Sequence, residues 1–367
     1  MRERWILQFC HGYYGPFLDV ARQYAALFKD SPYKVLTVYL TGEPTEAARA
    51  GSASDEVIFL GFSSKAVRGL KLAAIRAFRE IARSRDFSLV IAHRAKPIYV
   101  ACLATDLPVI GVHHAFGDYR RAARRGFANL FRRRLSLLGV SDAVRDDIRR
   151  HLPGWPSDKI ETLHNRIDVD ACRRNILAKD ATRSALGLPQ DAKIIGNVGR
   201  LHPDKDQKTL LAGFAHALPH LPPGTLLAIA GSGPLEADLK ARANTLGVAE
   251  RVIFLGQVPE MRRFFSAFDL FALSSDHEPF GMVLLEAMAA GVPVMATDCG
   301  GAPEIVADKN ALFPLGDSRT LAEKLVVFFS APPTGAAALD RLKEYFSDEA
   351  ARQRFFALPM ARKALGA

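Results

Sequence analysis

The chain has 367 residues, of which 49% are hydrophobic and 24% charged, with a net charge of +10. That length provides for about two domains, each able to bury its own core, and the composition excludes disordered and fibrous classes. The charge is uneven: residues 1–170 hold 27 Lys and Arg against 18 Asp and Glu, the remainder 22 against 21, so the first half is suited to something anionic, whether a membrane surface, a phosphorylated acceptor or a nucleic acid.

Taken in chain order, short apolar runs alternate with helical stretches. Trp5–Phe9 is a short buried strand, Asp19–Phe28 a helix and Lys34–Leu40 the next strand. Glu56–Leu60 is strand-like, Lys65–Ser84 a long helical segment, and Leu89–His93 and Pro108–His113 are further strands. Leu137–Val140 leads into a helix over Ser141–His151, with Ser141 and Asp142 as cap candidates. After a break at Pro153–Pro156 and Asn165–Asp170 the alternation restarts. Lys193–Val198, Leu226–Ala230, Arg251–Leu255, Leu270–Ala272 and Val292–Ala296 are strands; Asp206–Ala217, Leu235–Leu246, Met261–Ala267 and Leu284–Ala290 are helices.

This is the βαβ pattern of parallel sheets. The expectation is an α/β chain of two Rossmann-like, doubly wound domains, 1–168 and 169–345, with a hinge near 165–175. A helix over Asp348–Leu365, part of a tail of about 346–367, is expected to cross back onto the first domain. Two such domains facing each other make a cleft, and ligands of open parallel sheets bind outside the carboxyl ends of the strands.

Cys10, Cys102, Cys172 and Cys299 are widely separated, which argues against a zinc cluster or a disulfide framework and for a reducing cytoplasm. No run reaches the roughly 18 apolar residues of a spanning helix, and the charged opening gives no expectation of a signal peptide.

The strongest motif is Asp276-His-Glu-Pro-Phe-Gly-Met-Val-Leu-Leu-Glu, which places Glu278 and Glu286 eight positions apart. Pro279 puts Glu278 in a loop or at a helix start, Gly281 lets backbone approach a ligand, and the helix that follows stops at Gly291. The amides of Phe280, Gly281, Met282 and Val283 are then set to face an anion such as a diphosphate. The two glutamates can accept from sugar and ribose hydroxyls. Arg200 and Lys205, five apart after a strand, are fixed cations that can offset charge on a leaving phosphate without a metal.

Several segments stand in one order: Asn197-Val-Gly-Arg-Leu-His-Pro-Asp-Lys-Asp, Ala230-Gly-Ser-Gly-Pro-Leu, Arg251-Val-Ile-Phe-Leu-Gly-Gln-Val, Glu278…Glu286, Val140-Ser-Asp and His164-Asn-Arg-Ile-Asp. In these the chain resembles the retaining GT-B glycosyltransferases of family 4, from about residue 108 to 320. The resemblance implies a donor site built from Gly199, Arg200, Lys205, Glu278, Phe280–Val283 and Glu286, with Val258 against the nucleotide base. It assigns Gly12, or Gly15, to a loop touching the diphosphate. His114, six residues past Pro108, would contact the transferred sugar, with His113 and His93 as alternatives. Catalysis is assigned to Glu278, Arg200, Lys205 and His114, with retention at the anomeric carbon and Glu278 as a positioner rather than a base. Arg166 departs from the family pattern, where glycine is usual. Asp168-Val-Asp170 reads as the interdomain linker, not a metal site; no metal and no cofactor is expected.

Two basic segments complete the reading. Arg120–Arg134 interleaves arginines with an apolar stripe of Phe127, Leu130, Phe131 and Leu135; Lys65, Arg68, Lys71, Arg76, Arg79 and Arg83 surround Leu70, Leu72, Ile75, Phe78 and Ile81. Basic amphipathic helices lie on anionic membranes; no motif for nucleic acid accompanies the charge. The expectation is a cytoplasmic protein, peripheral on the inner membrane face and a monomer or weak dimer. It would move a hexose or N-acetylhexosamine from a nucleotide-sugar, UDP favoured, to a lipopolysaccharide-core or other surface-glycan acceptor, with domain closure excluding water. The alternatives are a GT-B nucleotide-sugar epimerase, which needs no acceptor, and a non-enzymatic anion- or nucleic-acid-binding protein, which would not prefer a nucleoside diphosphate to phosphate.

Overall fold

A computed structural model describes residues 3–333 and 336–366. The chain divides into two compact units: one runs to Arg166 and resumes at Asp348, the other is Ile167–Ser347. Each is a parallel sheet flanked by helices.

Unit 1 has seven strands: β1 (Arg4–Cys10), β2 (Tyr33–Tyr39), β3 (Glu56–Phe59), β4 (Phe87–His93), β5 (Val109–His113), β6 (Leu135–Gly139) and β7 (Ile160–Thr162). Their order is β3-β2-β1-β4-β5-β6-β7. The inner strands are buried along nearly their whole length, as strands covered by helices on both faces must be. In register, Leu7 pairs with Leu36 on one side and Val90 on the other.

Unit 2 has six: β8 (Ile194–Val198), β9 (Leu226–Ala230), β10 (Val252–Gly256), β11 (Leu270–Leu273), β12 (Val294–Thr297) and β13 (Leu312–Phe313), in the order β10-β9-β8-β11-β12-β13. In each sheet the strand order reverses once, between β1 and β4 and between β8 and β11. The loops leaving β1 and β4 in one unit, and β8 and β11 in the other, thus stand at the switch point of their own sheet, which is where doubly wound sheets take ligands.

Several sequence expectations are corrected. The helix expected over 65–84 begins only at Leu72, because Gly69 and Lys71 both take left-handed backbone (φ 56°) and break the run before it. The stripe of Phe127, Leu130, Phe131 and Leu135 is not one face: the helix Ala122–Phe131 ends first, and Leu135 is buried as the opening residue of β6. Leu130 instead stands 75% exposed. Met261–Ala267 forms two single 3₁₀ turns rather than a helix. The tail helix is two, Asp348–Ala357 and Pro359–Leu365, since Pro359 cannot continue the first.

Both tail helices belong to unit 1, and a buried arginine ties them there. Arg166 is fully buried; its Nε lies 3.2 Å from Asp348 Oδ1, its Nη2 donates to the Gln23 carbonyl, and its backbone N–H donates to Gln23 Oε1 at 3.0 Å. Arg22 holds the other Asp348 oxygen at 2.7 Å, and the Tyr24 ring lies 5.5 Å from the Arg166 guanidinium carbon. The residue that departs from the family pattern has become an anchor.

Candidate active site

In unit 2 the loops after β8 and β11 meet at the switch point. Residues 199–206 leave β8 pressed against the turn after β9. Gly199 N–H donates to the Ala230 carbonyl at 3.0 Å and Leu201 N–H to the Ser232 carbonyl at 3.0 Å. A Cβ on Gly231, which has φ 140°, would fall 1.9 Å from the Gly199 oxygen. The Gly231-Ser-Gly233 turn therefore supports the Gly199–Leu201 backbone.

The loop after β11 is tied to the same segment. Ser274 Oγ donates to the Lys205 carbonyl at 2.9 Å, and Asp276 N–H donates to the Asp204 carbonyl at 3.1 Å. Lys205 and Glu278 meet across this junction, with Nζ 2.7 Å from Oε2 and only 19% and 12% of their side chains exposed. Gly301 N–H donates to the Glu278 carbonyl at 2.9 Å, and a Cβ on Gly300 (φ 61°) would sit 2.1 Å from that oxygen. A glycine is required there for the Glu278 backbone to lie as it does.

The helix Met282–Ala289 opens at Gly281, which takes φ 110°. Its first amides have no intrahelical acceptor and carry the positive end of the helix dipole. The Phe280 ring is buried against Phe346, centroids 5.8 Å apart, which leaves its backbone as the part that can face a ligand. Met282 and Val283 are half-buried. Glu286, one face along, lies 3.6 Å from Arg262 Nη2. Val258 is half-buried in the loop after β10.

Arg200 is 70% exposed in its side chain, held at 3.1 Å by Asp204. Burial opposes ionisation of Asp204, but the His202 hydrogen bond and the nearby Lys205 and Arg200 charges hold its carboxyl below the usual value. Lys205 is thus a sheltered cation paired with Glu278, and Arg200 an exposed one paired with Asp204. The cluster can bind a dianion, place a hydroxyl-bearing ring against Glu278, and stabilise charge on a departing phosphate.

In unit 1 the corresponding loops follow β1, β4 and β5. Gly12 is close-packed: a Cβ there would be 3.0 Å from Thr41 Oγ1, whereas Gly15 (φ 59°) faces open space before the helix Phe17–Ala26. The two histidines after β5 are distinguished. His113 is buried and uses both ring nitrogens, Nδ1 at 2.8 Å from Asp118 and Nε2 at 3.2 Å from the Tyr119 hydroxyl. His114 keeps one: Nε2 is 3.3 Å from His93 Nδ1, while its Nδ1 is buried without a partner. Burial, then the neighbouring His113 and Arg94, push the His114 imidazole down to about 3; burial, then Arg94 and Lys96, push His11 to about 4. Both are neutral at pH 7.

Two cations here were missed in the sequence. Arg94 and Lys96 open the helix Ala95–Ala104 directly after β4. Arg94 takes φ 72°, a conformation costing a non-glycine residue about 1–3 kcal/mol. Its N–H donates to the Val112 carbonyl at 3.0 Å and its guanidinium lies 4.8 Å from the Phe17 ring. Their position straight after a switch-point strand was the available signal.

Comparison with known proteins follows this division. Residues 20–171 match the family model Glycosyltransferase Family 4, and residues 178–350 match Glycosyl transferases group 1. A D-inositol 3-phosphate glycosyltransferase of Mycolicibacterium paratuberculosis is 36% identical over 192 residues, 50% of this chain and 42% of that protein. The lipopolysaccharide core biosynthesis mannosyltransferase LpsB of Rhizobium meliloti is 32% identical over 168 residues, 44% of this chain and 48% of that protein. The aligned stretches thus span less than half the length of these curated relatives. A glycosyltransferase from Rickettsia africae superposes with TM-score 0.84 at 17% identity, covering 100% of this chain and 99% of that one. Anabaena HepE in complex with UDP-glucose superposes with TM-score 0.76 at 20% identity, covering 99% and 100%. The two family matches take up most of the chain, which thereby belongs with the glycosyltransferases: a Glycosyltransferase Family 4 domain followed by a Glycosyl transferases group 1 domain, on the GT-B fold.

Proposed function

We propose that the protein transfers a hexose or N-acetylhexosamine from a nucleotide-sugar, a UDP-sugar in first place, to a surface-glycan acceptor such as the core of lipopolysaccharide, with retention at the anomeric carbon and without a metal ion. The observation that carries this reading is the Lys205–Glu278 pair beside the open helix start at Gly281. Lys205 and the first helical amides bind the diphosphate, and Arg200 swings onto its outer oxygens. Glu278, once Lys205 turns to phosphate, accepts from sugar hydroxyls. Glu286 accepts from the ribose, and Val258 lines the base. His114, neutral, donates to or accepts from the sugar. The bond from the anomeric carbon to the diphosphate breaks, the new glycosidic bond forms on the same face, and the departing phosphate takes the acceptor's proton. Charge-assisted hydrogen bonds of this kind contribute about 1.5–3 kcal/mol each, so the two cations can replace a divalent ion.

Donor and acceptor classes are supported by what the relatives act on: UDP-glucose is bound by Anabaena HepE, and the Rhizobium relative is named for lipopolysaccharide core synthesis. A place at an anionic membrane face is supported by Leu70, Leu72 and Leu130, exposed by 68%, 69% and 75%, among the exposed Lys65, Arg68, Arg132 and Arg133. Each such cation contributes about 1 kcal/mol near an anionic surface. No described helix is long and apolar enough to cross a membrane.

The test is a melting panel with nucleoside diphosphates and their sugars. A ligand at a hundred times its dissociation constant stabilises by about 2.7 kcal/mol. Selective stabilisation by one nucleotide and its sugar is expected; a response no greater than that to inorganic phosphate would overturn the assignment in favour of plain anion binding.

A further inference from the structure

Two cavities in unit 1 share a wall. One, of about 220 Å³, is lined by His11, Arg94, Lys96, His114, Asp118 and Arg124, among others. The second, of about 380 Å³, shares Lys96, Asp118 and Arg124 and is otherwise mostly apolar, with Ile98, Tyr99 and Phe127 in its lining. Tyr99 and Phe127 lie face-tilted with ring centroids 4.8 Å apart, and Lys71 sits 4.5 Å over the Tyr99 ring.

The charge in this pair of cavities is unbalanced. Lys71, Arg94, Lys96 and Arg124 face a single carboxylate, Asp118, and that one is already engaged by Arg124 and His113. Neither Arg94 nor Lys96 has an ion-pair partner among the described residues. The helix Ala95–Ala104 starts at the same wall, where Ala95 and Lys96 line the cavity. His11 and His114 line this cavity, and the buried Nδ1 of each has no hydrogen-bond partner among the described residues. Arg94, at the entry to this wall, takes φ 72°. A neutral sugar in such a pocket would leave two cations uncompensated; a phosphate dianion matches them.

We infer that unit 1 takes a phosphate monoester, with the phosphate between Arg94, Lys96 and Arg124 and an apolar or ring-faced body along Tyr99 and Phe127. This rests on the transferase reading, in which that molecule is the acceptor. The body can be a lipid chain or a sugar ring, and the two differ in how they use the aromatic wall.

Calorimetric titration of the full chain decides it, with octyl phosphate, a hexose 6-phosphate, and octyl glucoside and free hexose as phosphate-free partners. Each phosphate ester is expected to bind at least tenfold tighter than its phosphate-free partner. Lys96→Met and Arg94→Gly, the latter suited to the positive φ, should each weaken the phosphate esters tenfold or more. Phe127→Ala should weaken octyl phosphate selectively if the source is a lipid, and the hexose phosphate selectively if it is a sugar. Nucleoside diphosphate titrated into the same variants reports unit 2 and the integrity of the fold. Unchanged nucleotide binding with lost phosphate-ester binding supports the inference. Phosphate esters that bind no better than their phosphate-free partners, or that are indifferent to both cation variants, overturn it. Loss of nucleotide binding in the unsubstituted chain would overturn the donor assignment instead.

Discussion

Removing either partner of the buried Arg166–Asp348 pair should have unequal effects, and the inequality tests what holds the tail helices to unit 1. Asp348→Ala leaves the Arg166 guanidinium buried, with the Gln23 carbonyl and the Tyr24 ring but no counter-charge. Breaking a buried pair by removing one partner costs about 3–5 kcal/mol. Asp348 is 27% exposed in its side chain, so water offsets part of this and about 3 kcal/mol is the reasoned value. Arg166→Met removes the buried charge itself, fills much of the same space, and leaves Asp348 with Arg22 at 2.7 Å; replacement of a buried ion by an apolar residue is often near neutral. A unit of this size loses about 2–4 °C in melting temperature per kcal/mol. Asp348→Ala should therefore lower the unit 1 transition by about 6–12 °C, taking about 3 kcal/mol at that rate, and Arg166→Met by about a third of that or less. Differential scanning calorimetry resolves the transition, and limited proteolysis near residue 348 reports detachment of the tail. If Arg166→Met costs as much as Asp348→Ala, the tether is packing and not charge, and the reasoning fails.

Other consequences are as direct. His11 and His114 are held neutral in the fold, at about 4 and about 3, against an ordinary value of 6.5. The unfolded chain therefore binds more protons between those values, so stability is present above pH 6.5 and is lost as pH falls toward 4. Melting curves from pH 7 to 4 should show this decline, and His114→Asn should flatten it. Gly300→Ala should displace the Glu278 carbonyl, costing about 1 kcal/mol or more and abolishing the nucleotide-induced rise in melting temperature. An unchanged nucleotide response would show that the turn tolerates a side chain. Arg200→Ala removes only an exposed pair and should change stability by less than about 1 kcal/mol. Its donor kcat/KM should nevertheless fall about tenfold or more, the equivalent of one charged hydrogen bond; equal rates would remove Arg200 from the site.

How much the sequence disclosed depended on where the deciding contacts lie. Strands such as Leu226–Ala230 are continuous apolar runs bounded by turn residues, so local composition determines them. The two segments of the candidate site in unit 2, Gly199 to Lys205 and Glu278 to Gly281, could be picked out in the sequence because each is short and contiguous. Pairing of Lys205 with Glu278 was not, because it joins residues 73 positions apart. The helix Ala95–Ala104 went unseen since it is apolar on most sides, with Pro97 in its first turn, and shows no helical period. Arg94 and Lys96 were hidden with it. The left-handed Lys71 that shortens its helix follows from no local propensity, and neither does the strand start at Leu135.

The central claim is that Lys205 and the helix start at Gly281 bind a nucleoside diphosphate without a divalent ion. Its most direct measurement is calorimetric titration of UDP and GDP, in chelator and in magnesium, into the unsubstituted chain and Lys205→Met. The account predicts that one nucleotide binds equally well in both buffers and loses tenfold or more in affinity in the variant. Binding that requires magnesium, or that ignores the loss of Lys205, would contradict it.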